Sequence, residues 1–250
     1  SYSEEKPLLR DVTFRADAGK TVAISGSTGG IGRELCAFFC ELSASLILID
    51  LRNSRSDALR AELSEKYPNI SIKAYYVDLE NISAVRSLAE ELKGEDIDHL
   101  VLNAGAYKIP RRKGENGFEN VFNINFVSPY ILANALLPKI KSRKGKLVAV
   151  GSIAHDYSRA DFSDVDFSTR KAPSKIYGNA KRYLMFSLWS LEEYRGVINI
   201  AHPGITVTNI TSHYPRVIYA LIKYPMKVIF MDRKKASLSI LYALFTDTEK

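Results

Sequence analysis

The stretch from Thr21 to Gly32, TVAISGSTGGIG, constrains the fold more than any other part of the chain. Val22, Ala23 and Ile24 read as a buried parallel strand, and beyond it Ile31, Leu35, Phe38 and Phe39 recur at helical spacing. Gly26, Gly30 and Gly32 lie at the junction. A side chain there would obstruct the tight turn, the approach of backbone N–H groups to a pyrophosphate, or the packing of helix on strand. The free N–H groups and positive dipole end of that helix would then face phosphates. The spacing is G-x-x-x-G-x-G rather than G-x-G-x-x-G, and three glycines alone also fit a loop with no ligand. Context favours a dinucleotide: the next apolar run, Leu46 to Ile49, closes on Asp50, placed to accept hydrogen bonds from the adenosine ribose hydroxyls.

From Thr21 onward apolar strands alternate with amphipathic helices, with strands expected near 21–25, 45–50, 72–77, 98–102, 146–151 and 197–201. That rhythm predicts an α/β fold, a single doubly wound Rossmann-type domain with a parallel sheet and helices on both faces. Right-handed crossovers put every strand's carboxyl end on one edge, where ligands bind at the reversal of strand order. The strand exits carry the glycine turn, Asp50, Asp78-Leu79, Asn103-Ala104-Gly105, Ser152 and Pro203-Gly204. Each alone is ordinary turn chemistry; together they read as a site.

The chain has 250 residues, 46% of them hydrophobic, enough for one full core over 21–250 behind a charged arm at 1–20. A net charge of +7 suits an anionic cofactor or membrane surface, and no compact basic and aromatic array points to nucleic acid. Cys36 and Cys40 are expected to be free, buried thiols in a reducing, cytoplasmic compartment, and no Cys/His cluster suggests a metal. No uncharged apolar run approaches the roughly 18 residues of a spanning helix, so the chain is read as soluble.

Tyr177 and Lys181 are four apart in IYGNAKRYLMFSLWSLEEY, which reads as a long, largely buried helix with Tyr183, Leu184, Phe186, Leu188 and Leu191 in it and Trp189 in the core. At that spacing the two side chains share a face. A phenol with a pKa near about 10 needs a neighbouring cation to act as acid or base near neutrality, and Lys181 supplies one. Its ammonium could also reach a nicotinamide ribose, leaving Tyr177 to exchange a proton with a substrate oxygen. Ser152, ending GKLVAVGS, would hydrogen-bond that oxygen. An isolated Tyr and Lys pair is more often structural; its place after Ser152 favours catalysis. His155 is read as a loop histidine.

SGSTGGIG, the Asp50 and Asp78 exits, NAG at Asn103 to Gly105, Ser152, Tyr177-x-x-x-Lys181 and HPG at His202 to Gly204 together resemble the short-chain dehydrogenase/reductase family. The resemblance implies a tetrad in which Asn125 of NINFVSP joins Ser152, Tyr177 and Lys181. It also implies cofactor contacts from Gly26, Thr28, Gly30, Ile31, Gly32, Asp50, Asp78, Leu79, Asn103, Ala104, Gly105, Tyr177, Lys181, Pro203, Gly204 and Thr206. GFE at Gly117 to Glu119, SIAH around Ser152 and YGNAK look like the retinol dehydrogenase branch, which handles hydrophobic alcohols and aldehydes.

Asp50 should repel a 2′-phosphate, which favours NAD, while Arg33, Arg52 and Arg55 leave NADP open. Residues 205–235 mix aromatic and aliphatic side chains with lysine and arginine, which reads as a lid over an apolar substrate or a membrane-touching surface. No seventh strand is read after SLSILYALF, which leaves open any homo-oligomer contact built on that sheet edge. The expectation is an NAD(P)(H)-dependent oxidoreductase interconverting an alcohol with an aldehyde or ketone. The alternatives are an idle nucleotide-binding module and a sugar epimerase or dehydratase; the intact Ser152, Tyr177 and Lys181 weigh against the first, and the lack of room for a longer substrate domain against the second.

Overall fold

A computed structural model describes residues 19–156, 158–204 and 232–246. Most of the expected amino-terminal arm and residues 205–231 of the expected lid, Thr206 among them, lie outside the described residues.

The strands are β1 (Thr21–Ser25), β2 (Ser45–Asp50), β3 (Ile72–Tyr76), β4 (His99–Leu102), β5 (Leu147–Val150) and β6 (Ile198–Ala201). All pair in parallel in the order β3-β2-β1-β4-β5-β6. Between them run α1 (Gly30–Glu41), α2 (Ser54–Lys66), α3 (Ile82–Leu92), α4 (Asn120–Phe122), α5 (Ser128–Ser142) and α6 (Pro173–Trp189); α7 (Arg233–Phe245) follows β6. The expected doubly wound sheet is present, and the strand order reverses between β1 and β4.

Strand residues alternate between two cores because both faces of the sheet are covered. Val22, Ile24, Leu46, Leu48, Val101 and Val148 pack with α1, α2 and α7 through Leu35, Phe39, Leu59 and Ile240. Ala23, Ile47, Ile49, Leu100, Leu102 and Leu147 face the other way, onto Val85, Leu92, Leu136 and Leu184 of α3, α5 and α6. The strands therefore read as continuous apolar runs, and their ends are left to carry polar groups.

Two details differ from expectation. Trp189 is 56% and Phe186 52% exposed, edge to face with centroids 6.0 Å apart, not in the core. The inner stripe of α6 is Ile176, Ala180, Leu184 and Leu188; positions 186 and 189 project from the opposite face. The continuous helical run Asn120–Ser142 is, among the described residues, long and apolar enough to cross a membrane, with a mean hydropathy of 1.2. More than half of that window, 56%, is buried, and its Leu132, Leu136 and Ile140 lie in the core with α3.

Candidate active site

The carboxyl ends of the strands open onto a cleft of about 800 Å³, lined from Asp50, Asn53 and Arg55 at one end to Ser152, Tyr177 and Lys181 at the other. It collects the expected Gly26, Thr28, Gly30, Ile31, Asp50, Asp78, Leu79, Asn103, Ala104, Gly105, Pro203 and Gly204. Gly32 is buried one turn inside α1, and Asn125 lies behind Gly105.

The glycine turn is built tightly. Gly26 has φ +68°, and a Cβ on it would lie 2.8 Å from Ala104 Cα; a Cβ on Gly32 would lie 2.2 Å from the Gly26 carbonyl oxygen. Neither position accepts a side chain without moving backbone. The turn is braced from both sides. Asn103 Nδ2 donates to the carbonyls of Ser25 at 3.2 Å and Gly26 at 2.9 Å, and Ala104 N donates to Ser25 Oγ at 3.1 Å. From the β2 side Asp50 accepts from Ser27 Oγ, and from Thr28 N at 3.3 Å and Thr28 Oγ1 at 3.2 Å. Asp50 is buried, which pushes its carboxyl above the usual carboxylate value against the pull of these donors. A carboxylate offers about four acceptor positions, so one remains for a ribose hydroxyl. Gly29 caps α1 without a side-chain hydrogen bond, and its first turn has no acidic residue. The leading N–H groups of α1 thus face the cleft without an anionic partner on their own helix.

At the other end α6 brings Tyr177 and Lys181 to the same wall. Lys181 is 4% exposed; its Nζ donates to the Val150 carbonyl at 2.8 Å and stands 5.8 Å from the Tyr177 ring centroid. Burial lowers its ammonium to about 8. Ser152 leaves β5 and caps a short 3₁₀ turn, Ile153–His155, accepting from Ala154 N at 3.2 Å. A Cβ on Gly178, beside Tyr177, would meet Ser158 Oγ at 2.1 Å and the Ala154 carbonyl at 2.4 Å, so α6 is seated directly on that turn.

Asn125 sits in a π-helical turn, Asn123–Val127, between α4 and α5. The π turn frees the Val121 carbonyl, which Asn125 Nδ2 takes at 2.8 Å together with the Ala106 carbonyl at 2.8 Å. Its Oδ1 is buried with no protein donor. A Cβ on Gly105 would lie 2.8 Å from that Oδ1 and 3.8 Å from Lys181 Nζ, so both flank the same glycine. A buried acceptor without a donor beside a buried ammonium is an arrangement that calls for a further polar partner.

Sequence reasoning missed several lining residues. Tyr107 packs edge to face on Tyr177 at 5.4 Å, and Ile153, 47% exposed, faces the cleft. Each lies within two residues of a recognised motif, NAG or Ser152, which was the available signal. Arg112 and Glu80 also line the cleft, joined by a 2.5 Å ion pair. His155 has the carboxylate that the sequence reading did not assign to it: its Nε2 is 3.0 Å from Asp156 Oδ1.

The short chain dehydrogenase family model matches residues 20–172, and the chain belongs to that family. The match carries the glycine turn through Ser152 and stops just short of α6. Human retinol dehydrogenase 13 is 30% identical over 205 residues, 78% of this chain and 61% of its own length, so the chain spans less than two thirds of that relative. The chloroplastic short-chain dehydrogenase TIC 32 A of Brassica napus is 30% identical over 221 residues, 81% of this chain and 69% of the relative. L-sorbose reductase from Gluconobacter frateurii, solved in complex with NADPH and L-sorbose, superposes with a TM-score of 0.71 over 93% of this chain and 92% of its own. At 20% identity that likeness shows the shared fold.

Proposed function

We propose that this chain is an NAD(P)(H)-dependent oxidoreductase that interconverts an alcohol and its aldehyde or ketone. The observation that carries the reading is the buried Lys181 ammonium beside Tyr177, on the wall of a cleft whose other end is a glycine turn backed by a helix N-terminus. A lysine buried to 4% exposure without a carboxylate partner is costly and suits a functional role more than a structural one.

The residues fit a dinucleotide. The glycine turn leaves no Cβ between backbone and cleft, the α1 N–H groups are available to a pyrophosphate, and Asp50 retains one acceptor for a ribose hydroxyl. Asp78, Leu79, Asn103 and Ala104 would flank the adenosine half, and Pro203, Gly204 and Thr206 the nicotinamide half. A bound nicotinamide would accept hydride from, or deliver it to, the substrate carbon. Tyr177 takes the hydroxyl proton in oxidation and returns it to the carbonyl oxygen in reduction. Lys181 stabilises the phenolate that this transfer requires, and Ser152 donates a hydrogen bond to the reacting oxygen. Asn125 would complete the relay behind Gly105.

An apolar substrate is supported by Tyr107, Ile124 and Ile153 on the cleft wall. The name of retinol dehydrogenase 13, which specifies an apolar alcohol, points the same way. The Asp50 carboxylate favours NAD over NADP. The same reading places the chain in a reducing compartment, on its two free, buried cysteines. It also takes the basic and apolar 205–235 stretch as the part that covers the substrate or touches an anionic membrane surface.

The test is Tyr177→Phe, which removes the hydroxyl and keeps the ring. Binding of NADH or NADPH, followed by its fluorescence, is expected to stay within about twofold, while turnover in an alcohol and aldehyde screen falls by roughly 10²–10⁴. Full activity in the variant would refute the assigned chemistry.

A further inference from the structure

The hydroxyl of Tyr177 lies at the far end of a side chain that pivots at its Cα–Cβ bond, so its place in the cleft depends on what holds the ring. Gly178 seats α6 on the Ile153–His155 turn and fixes where that side chain starts. Lys181 Nζ stands 5.8 Å from the ring centroid, close to the limit of about 6 Å for a cation over an aromatic face. Tyr107 meets the ring directly. Its centroid is 5.4 Å away and its plane is turned by 73°, within the favoured range for an edge-to-face pair.

Tyr107 belongs to the loop that follows β4, and this loop is fixed on both sides of it. On the amino side Asn125 Nδ2 donates to the Ala106 carbonyl at 2.8 Å. On the carboxyl side Lys108 has φ +55°, a left-handed conformation that lysine rarely adopts and that persists only where its surroundings impose it. Ile109 then packs against the cluster of Phe122, Phe167 and Ile176, and Arg112 pairs with Glu80. The chain is thus pinned at 106, 109 and 112 and accepts backbone strain at 108, and between these points it lays one aromatic ring on Tyr177.

We infer that Tyr107 is a positioning residue for the reaction: its ring fixes the tilt of Tyr177 and so places the phenol oxygen against the substrate oxygen. This role rests on the proton-transfer reading of Tyr177 given under Proposed function. It gives Asn125 a second part in the site, because the amide whose Oδ1 flanks Gly105 beside Lys181 also holds, through Nδ2, the loop that carries Tyr107. Displacing a reacting oxygen by about 1 Å costs up to about 10²-fold in rate. The contact is made by the ring, so phenylalanine serves in place of tyrosine. A residue that only walls the cleft behaves differently, since its removal is felt by a long substrate and not by one too short to reach it.

The experiment compares wild type with Tyr107→Ala, Tyr107→Leu and Tyr107→Phe on a panel of aldehydes that includes propanal and decanal, with NADH and with NADPH. In parallel, nuclear magnetic resonance relaxation of tyrosine-labelled protein follows the Tyr177 ring, its signals assigned by their loss in Tyr177→Phe. Tyr107→Ala and Tyr107→Leu are expected to lower kcat for the short and the long aldehyde alike, by about 10–100-fold. The KM for propanal should stay within about twofold, as for an interaction that matters only in the transition state. The Tyr177 ring becomes more mobile in both variants, and Tyr107→Phe restores the rate and the rigid ring. A loss confined to decanal overturns the positioning role and leaves Tyr107 as a wall of the cleft. An equally rigid Tyr177 ring in Tyr107→Ala overturns it as well, and so does a Tyr107→Phe variant as slow as Tyr107→Ala. If wild type turns over no member of the panel in either direction, the oxidoreductase reading fails and the positioning role falls with it, leaving the ring contact as a structural one.

Discussion

Lys181→Met tests whether the ammonium beside Tyr177 is held at a cost to folding. Burial lowers Lys181 from the 10.5 of an exposed lysine to about 8. Below pH 8 the side chain is protonated in the folded and unfolded states alike, and the folded protein bears the whole cost of burying the charge. Between about 8 and 10.5 the folded state has released the proton while the unfolded chain still holds it. The unfolded state then binds more protons, so stability rises with pH across that window. Each pH unit there is worth about 1.4 kcal/mol, which brings the full rise to roughly 3 kcal/mol.

Methionine keeps an unbranched side chain, one heavy atom shorter, and removes the charge, but it leaves the Val150 carbonyl without its donor, a loss of about 1 kcal/mol. Near pH 7 the variant is therefore expected to be more stable than wild type by about 2 kcal/mol. The assay is urea unfolding of both proteins at one temperature from pH 7 to 10, plotted as the difference between them. That difference is expected to shrink from pH 8 upward and to change sign near pH 10, where only the lost hydrogen bond remains. Subtracting the variant removes what other titrating groups add. A difference that stays constant from pH 7 to 10 would refute the buried, uncompensated ammonium and with it the main support for Tyr177 as proton donor and acceptor.

Two further substitutions probe the cleft's other parts. Asp50→Ala takes away both the charge that opposes a 2′-phosphate and the brace on Ser27 and Thr28, so NADH and NADPH should both bind less tightly in a fluorescence titration, with NADH losing more; an unchanged ratio would assign selectivity to the arginines instead. Gly178→Ala drives a methyl against the Ala154 carbonyl, 2.4 Å from an ideal Cβ, and should cost about 1–3 kcal/mol in chemical unfolding, the usual range for overpacking. An unaffected midpoint would mean that α6 moves off the 3₁₀ turn easily, and that Tyr177 is not fixed by that contact.

The sheet was legible because its strands are buried on both faces, so Val22 to Ile24 and Leu46 to Ile49 stand out as apolar runs ended by glycine or Asp50. The site was legible for the same reason: a polar group that ends a buried run is conspicuous. What the sequence did not disclose depends on geometry between elements. Asp50 was expected to serve a ribose, but most of its acceptor capacity goes to Ser27 and Thr28, because the turn folds back over the end of β2. Trp189 was assigned to the core on its residue type, whereas the phase of α6 turns it outward. Asn125 owes its position to a π turn, which no hydrophobic period reveals.

The two edges of the sheet differ in how their charges are settled, and the difference bears on function. At the amino edge Asp98, 1% exposed, accepts from Thr21 N at 2.9 Å, Arg143 Nε at 3.1 Å and Lys20 Nζ at 3.2 Å, so a buried carboxylate is fully matched by donors. At the carboxyl edge Lys181 has a carbonyl partner and no carboxylate, and Asn125 Oδ1 has no protein donor. These two groups stand side by side, flanking Gly105 in the wall of the cleft. Groups of this kind lower stability and persist where a bound partner completes them. A ligand that brings polar groups within reach of Lys181 and Asn125 Oδ1 would complete both in one binding event. On this account the cofactor should stabilise the fold beyond what its contact with either residue alone provides, because it completes both groups at once.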